Sequence, residues 1–118
     1  MITIYHNPRC SKSRGSCERA GALNTHGEPV EIIEYLKHPP TVQQLKKLNA
    51  MLKCPVRDMI RNSEKEFDEL RLADPALTDS QLYEAIAQHP VLLQRPIVVR
   101  DGRAVIGRPP ENVDVLFA

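Results

Sequence analysis

Disulfide staples are the first thing this sequence lacks. The 118-residue chain carries three cysteines, Cys10, Cys17 and Cys54, an odd number with no framework of spaced pairs. A small secreted domain held by cross-links is therefore disfavoured. Long apolar runs are missing too, so nothing is long enough to span a bilayer. The opening Met1-Ile2-Thr3-Ile4-Tyr5 lacks the charged start and apolar stretch of a signal peptide. Reduced cytoplasm is the expected compartment, with no membrane partner. Excess charge is absent: a formal net charge of +1 leaves no electrostatic footprint for nucleic acid. Ligand pairs are absent as well. His6, Cys10 and Cys17 do not make pairs at short spacing, and His26, His38 and His89 are scattered, so no metal is expected. There is no internal repeat, low-complexity stretch or linker.

What remains is an ordinary globular composition, 42% hydrophobic, in a length suited to one domain spanning residues 1–118. Arginine outnumbers lysine, and its planar fork suits small oxyanions, although surface solubility accounts for most such residues. Ile2 to Tyr5 reads as a strand cut off by Asn7-Pro8, and Ser11 to Asn24 as a helix with Cys17, Ala20 and Leu23 on one face. Gly27 supplies a stop, and Val30 to Tyr35 is a second strand. Strand, helix, strand at this spacing implies a parallel pair joined by a right-handed crossover.

The character then turns helical over about 41–94. Capping boxes are predicted at Thr41 to Gln44, at Ser63 to Glu66 and at Thr78 to Gln81, with a short helix within Val56 to Arg61. After Pro96 the strand period returns. Ile97-Val98-Val99 and Ala104-Val105-Ile106 flank Asp101-Gly102, a two-residue hairpin turn, and Pro109-Pro110 begins a last helix. The order predicts an α/β fold: a four-stranded mixed sheet of thioredoxin type, with a helical insertion between the second and third strands. Arg95-Pro96, at a strand entry, is a candidate cis bond.

Cys10 sits where the first strand passes into the first helix. Unpaired N–H groups at a helix start favour a thiolate, and His6, Arg9, Lys12 and Arg14 would push the same way. Lowering a thiol pKa from ~8.5 by ~2 units takes about 2.7 kcal/mol, within reach of a helix terminus and one or two cations. A buried packing role is the alternative, but the flanking residues are polar and turn-forming. Ser13 stands where a redox CxxC would place its second sulfur, so no local disulfide can close there. Cys17 is about 10 Å along the helix. Position 16 is serine, which excludes the Cys-x5-Arg loop of tyrosine phosphatases.

The string Ile4-Tyr5-His6-Asn7-Pro8-Arg9-Cys10-Ser11-Lys12-Ser13-Arg14 resembles the active-site loop of the glutaredoxin-coupled arsenate reductases, the ArsC type. The likeness continues through Tyr35-Leu36-x-x-Pro39-Pro40, Arg57 to Arg61, Asp79 to Pro90, Gln94 to Val99 and Gly107-Arg108-Pro109. These blocks are collinear across essentially the whole chain. The resemblance implies a thioredoxin-like fold with no bound cofactor, glutathione as co-substrate and glutaredoxin as partner. It implies Cys10 as the nucleophile that attacks arsenate, and His6 and Ser13 as residues that depress its pKa and hydrogen-bond its sulfur. Arg61, Arg95 and Arg108 match the arginines that hold the oxyanion. Gly107 stands where some relatives carry a cysteine, and the chain resembles a short member of the family. Two other functions share the pattern: an Spx-like regulator that binds RNA polymerase, whose usual CxxC switch Ser13 breaks, and a general glutathione-dependent thiol reductase.

Overall fold

Strand β1 (Ile2–His6) lies between neighbours of opposite sense in a computed structural model that describes residues 1–118. On one side it pairs in parallel with β2 (Val30–Glu34), in a register running from Ile2–Val30 to His6–Glu34. On the other it pairs antiparallel with β3 (Ile97–Arg100), which in turn pairs antiparallel with β4 (Arg103–Ile106). The order β2-β1-β3-β4 is the mixed thioredoxin-like sheet that the element sequence implies. Its hairpin turn places Asp101 at φ 52 and Gly102 at φ 74, the left-handed pair that a two-residue turn of matching twist requires.

Contact density divides the chain into two units, Met1–His38 with Arg95–Ala118, and Pro39–Gln94. The first contains the sheet and α1 (Ser11–Leu23), which follows β1. Ile2, Ile4 and Val98 alternate onto one sheet face, where Ala20 of α1 and Val113 and Leu116 of the C-terminal segment close the core. Cys17 and Leu23 pack against its margin, so the predicted helix face is the buried one. That face also carries Ser13 and Ser16, both fully buried. The C-terminal segment, Pro110–Phe117, is a 3-10 helix rather than the α-helix expected from Pro109-Pro110. It lies along α1, to which Asp114 is tied by a fork of bonds from Arg19 at 2.6 and 2.7 Å. Arg100 fastens the same segment to the sheet. It donates to the Leu116 carbonyl at 2.7 Å, stacks over the Phe117 ring and pairs with Glu28. As an edge strand, β2 leaves Val30 and Ile32 exposed.

The second unit holds α2 (Val42–Leu52), α3 (Lys65–Glu69) and α4 (Asp79–Gln88), with 3-10 turns at Val56–Met59 and Pro90–Leu92. Thr41 and Thr78 form the expected reciprocal capping boxes with Gln44 and Gln81. The box expected at Ser63 does not form. Helix α3 is one turn long and starts at Lys65, so Glu64 occupies the cap position and its side chain accepts no capping hydrogen bond. Leu45 and Leu48 of α2 and Leu82 and Ile86 of α4 are buried, and the Tyr83 hydroxyl donates to Asn49 Oδ1 at 3.0 Å between the two helices. Arg57 is a structural residue here, donating to the carbonyls of Leu72 and Asp74 at 2.6 Å each. No helix in the chain is long and apolar enough to cross a membrane.

Candidate active site

The loop between β1 and α1 is built by short-range hydrogen bonds that its sequence supplies. Asn7 Oδ1 accepts from the Arg9 amide at 3.1 Å, an Asx turn, and the Asn7 carbonyl accepts from the Cys10 amide at 3.0 Å. Arg14 reaches back from the first turn of α1 and donates to the Pro8 carbonyl at 2.8 Å. Cys10 thereby becomes the N-cap of the helix, with extended φ −96 and ψ 121, and accepts the first helical bond from the Arg14 amide on its carbonyl.

Cys10 is partly exposed and unbridged, as are Cys17 and Cys54. Partial burial of Cys10 acts to raise its thiol pKa. The amides of Ser13 and Lys12 and the Arg95 guanidinium act against it and prevail, so the pKa lies below its ordinary value. The thiol closes no capping hydrogen bond of ordinary geometry. What it receives from the helix start is the pull of fixed amide dipoles on its ionised form. The other two cysteines go the opposite way, because burial pushes both upward and Glu18 and Asp58 add to it at Cys17 and Cys54 respectively.

His6 behaves differently from the sequence expectation of a nearby cation. Burial lowers its pKa, the Glu34 carboxylate opposes that, and the Arg14 guanidinium lowers it further. Its imidazole is neutral at neutral pH. Nδ1 lies 2.6 Å from Ser13 Oγ, which also accepts from the Asn7 amide at 3.0 Å, and 3.4 Å from the Cys17 sulfur. The Ser13 hydroxyl is thus engaged by His6 and Asn7, while its backbone amide is the group that acts on Cys10. Ser13 and His6 brace the loop from behind.

Arg95 and Arg108 stand at the two open ends of the β3–β4 hairpin. Ile97 pairs with Ile106, and the Gly107 amide donates to the Pro96 carbonyl at 2.8 Å, so continuing that register sets Arg95 opposite Arg108. Both are followed by cis prolines, Pro96 and Pro109; the first is the bond singled out from the sequence, the second is not. Because β3 runs antiparallel to β1, its entry lies beside the end of β1, and this brings Arg95 to Cys10. Gly107 is the only residue type that fits between them: its carbonyl accepts from the buried Ser16 hydroxyl at 2.6 Å, with no room for a side chain. Arg61 belongs to the second unit. Its amide donates to the Leu92 carbonyl at 2.7 Å and its largely buried side chain lies 3.3 Å from the Glu64 carboxylate.

Sequence reasoning missed three members of this neighbourhood. Cys17 contacts His6, Ser16 holds the Gly107 loop, and Glu34 faces His6 from the end of β2. The only signals for them were the run of small residues on the inner face of α1 and the parallel register itself. On the β2 side of the loop lies a cleft of about 290 Å³, walled by His6, Asn7, Pro8 and Arg9 and by Glu34, Leu36 and Lys37.

Comparison with known proteins finds relatives along nearly the whole chain. The profile of the ArsC family matches residues 5–116. An arsenate reductase of Neisseria meningitidis serogroup A is 41% identical over 117 residues, covering 98% of this chain and 97% of that one. Escherichia coli K12 has a relative, the uncharacterized protein YfgD, 42% identical over 114 residues, with 96% and 93% covered. Among solved structures, an arsenate reductase from Vibrio cholerae superimposes with a TM-score of 0.88 at 45% identity, covering 98% of this chain and 96% of that one. With a matching profile over nearly all its residues and relatives of this identity, the chain belongs to the ArsC family.

Proposed function

We infer that this protein reduces arsenate to arsenite in the cytoplasm, through a covalent adduct on Cys10, with glutathione and glutaredoxin as electron donors. The observation that carries the reading is the partly exposed Cys10 thiol, its pKa lowered at a helix start beside Arg95. Relatives named arsenate reductases supply the substrate, and a reducing compartment keeps such a thiol available.

In this scheme Arg95 and Arg108 neutralise the oxyanion that would otherwise repel a thiolate. Cys10 Sγ attacks arsenic, a sulfur–arsenic bond forms and one oxygen leaves as water, with arsenic still pentavalent. The glutathione thiol then replaces a second oxygen, again released as water. A glutaredoxin thiolate attacks the glutathione sulfur, forming a mixed disulfide, and the sulfur–arsenic bonding pair passes to arsenic, which becomes trivalent. Water releases arsenous acid and returns Cys10 as a thiol. Phosphate has the same shape and charge, but phosphorus(V) does not take the last step. Selectivity then arises from the chemistry rather than from the anion's fit.

The test is a coupled assay with glutathione, glutaredoxin, glutathione reductase and NADPH. NADPH oxidation is expected only when arsenate is added, and Cys10→Ser is expected to abolish it. Thiol-dependent turnover of other substrates without arsenate dependence would instead identify a general thiol reductase.

A further inference from the structure

The ends of the strands divide the neighbourhood of Cys10 in two. Because β1 and β2 are parallel and β3 is antiparallel, the ends of β1 and β2 and the start of β3 share one edge of the sheet. Arg95 and Arg108 lie on the β3–β4 side of the Cys10 loop. The cleft lies on the other side, between the Asn7–Arg9 turn and the residues that follow β2. His6 reaches its wall, but none of the arginines proposed to hold the oxyanion lines it.

Its charges form a pattern. Arg9 and Lys37 are cationic and Glu34 anionic, with Leu36 an apolar wall between the last two. Glu34 and Lys37 face each other at 3.6 Å, with side chains 39% and 71% exposed. A pair this wet is worth about 0–1 kcal/mol, so a ligand's own charges can exchange into it. Two cations and one anion, net +1, complement a ligand with two carboxylates and one ammonium. The volume stands at the lower end of ligand clefts, about 300 Å³. Arg9 precedes Cys10 in the chain, and the hydrogen bond from the Cys10 amide to the Asn7 carbonyl closes the turn that carries both.

We propose that this cleft is the subsite for the peptide thiol that resolves the Cys10 adduct: it takes glutathione with its ammonium at Glu34 and its carboxylates at Lys37 and Arg9. The thiol of that tripeptide is on its middle residue, so anchoring both charged ends leaves the sulfur facing outward, toward Cys10. The thiol reaches the adduct from the β2 side while the oxyanion is held from the β3–β4 side, and neither ligand displaces the other. This assignment rests on the proposed thiol-dependent reduction.

Lys37→Glu reverses one anchor without touching Cys10, Arg95 or Arg108. The KM for glutathione should rise about three- to tenfold. The KM for arsenate, the pH profile of Cys10 alkylation and turnover with dithiothreitol as the reductant should match the wild type. A binding measurement stands apart from activity: S-methylglutathione, which has no free thiol, should shift the amide NMR signals of Asn7, Arg9, Leu36 and Lys37 in the full chain. Signals moving elsewhere, a glutathione KM unchanged in Lys37→Glu, or the same cleft signals moving with inorganic phosphate but not with S-methylglutathione would each overturn the subsite. Absence of arsenate turnover with any thiol, with the cleft signals still shifting, would remove the reductase reading and leave the subsite standing.

Discussion

Replacing Gly107 by alanine should unsettle both the fold and the site, and the structure gives the size of the effect. A Cβ there would lie 2.5 Å from Ser16 Oγ, 3.0 Å from Ser16 Cβ and 3.1 Å from Pro96 Cγ. Turning the Ser16 hydroxyl away relieves the first contact, but Ser16 is fully buried and gives its hydrogen bond to the Gly107 carbonyl. Losing that bond costs about 1–3 kcal/mol, less where the hydroxyl finds the carbonyl one turn back in α1. The contacts with Ser16 Cβ and the Pro96 ring are not relieved by rotation, and overpacking of this kind adds about 1–3 kcal/mol. The sum, about 2–6 kcal/mol, is a large share of a domain's usual 5–15 kcal/mol.

Urea unfolding would show it as a lower midpoint at unchanged slope. The Gly107 amide also donates to the Pro96 carbonyl, so the displacement reaches both flanking arginines, and the KM for arsenate should rise. Ser16→Ala alone should cost only about 1 kcal/mol. In the double variant the Oγ clash is gone, so its loss should fall short of the sum of the single losses. A Gly107→Ala protein within about 0.5 kcal/mol of wild type, or strict additivity with Ser16→Ala, would refute the steric argument.

Three further outcomes are expected. The Cys10 thiol is lowered in the folded chain, so its reactive ion persists below the ordinary ~8.5 and is lost only as pH falls through the lowered value. The rate of iodoacetamide alkylation against pH should show this, and Arg95→Ala should move the inflection upward. Thr41→Ala and Thr78→Ala each remove a reciprocal cap and should cost about 1 kcal/mol in urea unfolding, whereas Ser63→Ala, whose hydroxyl caps nothing, should be neutral. Tyr83→Phe leaves the Asn49 side chain without its donor and should cost about 1 kcal/mol, read in the same way.

What was legible in the sequence was local. The β1–α1 junction, both threonine caps and the Asp101-Gly102 turn depend on residues within a few positions of one another, and each has one favoured geometry. Ser63 failed as a cap because a helix of five residues is placed by its surroundings, not by its own start signal. The closing segment is a 3-10 helix although its apolar spacing suits either form, and spacing alone does not choose between them. The site was legible where it coincides with the helix start, at Cys10, and where a strand end carries an arginine. Other parts were hidden for a physical reason. The Ser16–Gly107 bond joins residues 91 positions apart, so only the assembled sheet shows why position 107 must be glycine. The charge on His6 was misread because the count of neighbouring cations says nothing about burial, which leads the list of influences on its ring.

That misreading changes how the thiol is activated. A protonated histidine beside Cys10 would lend its charge only at low pH and withdraw it as the pH rose through the histidine pKa. Here the influences on the sulfur that favour ionisation are the amides of Ser13 and Lys12 and the Arg95 guanidinium, none of which titrates near neutrality. The two kinds of group differ once an oxyanion arrives. In the proposed reaction Arg95 would share its charge with the oxyanion, which would weaken its hold on the sulfur, while the amide dipoles, fixed by the helix, would stay. A thiolate that is less stabilised is a better nucleophile at a given degree of ionisation. On that reading, anion binding would make the sulfur a stronger nucleophile while the helix start still favours its ionised form. Were the helix's share moved to a third cation, the anion would draw on that charge as well, and no fixed dipole would be left to favour the thiolate.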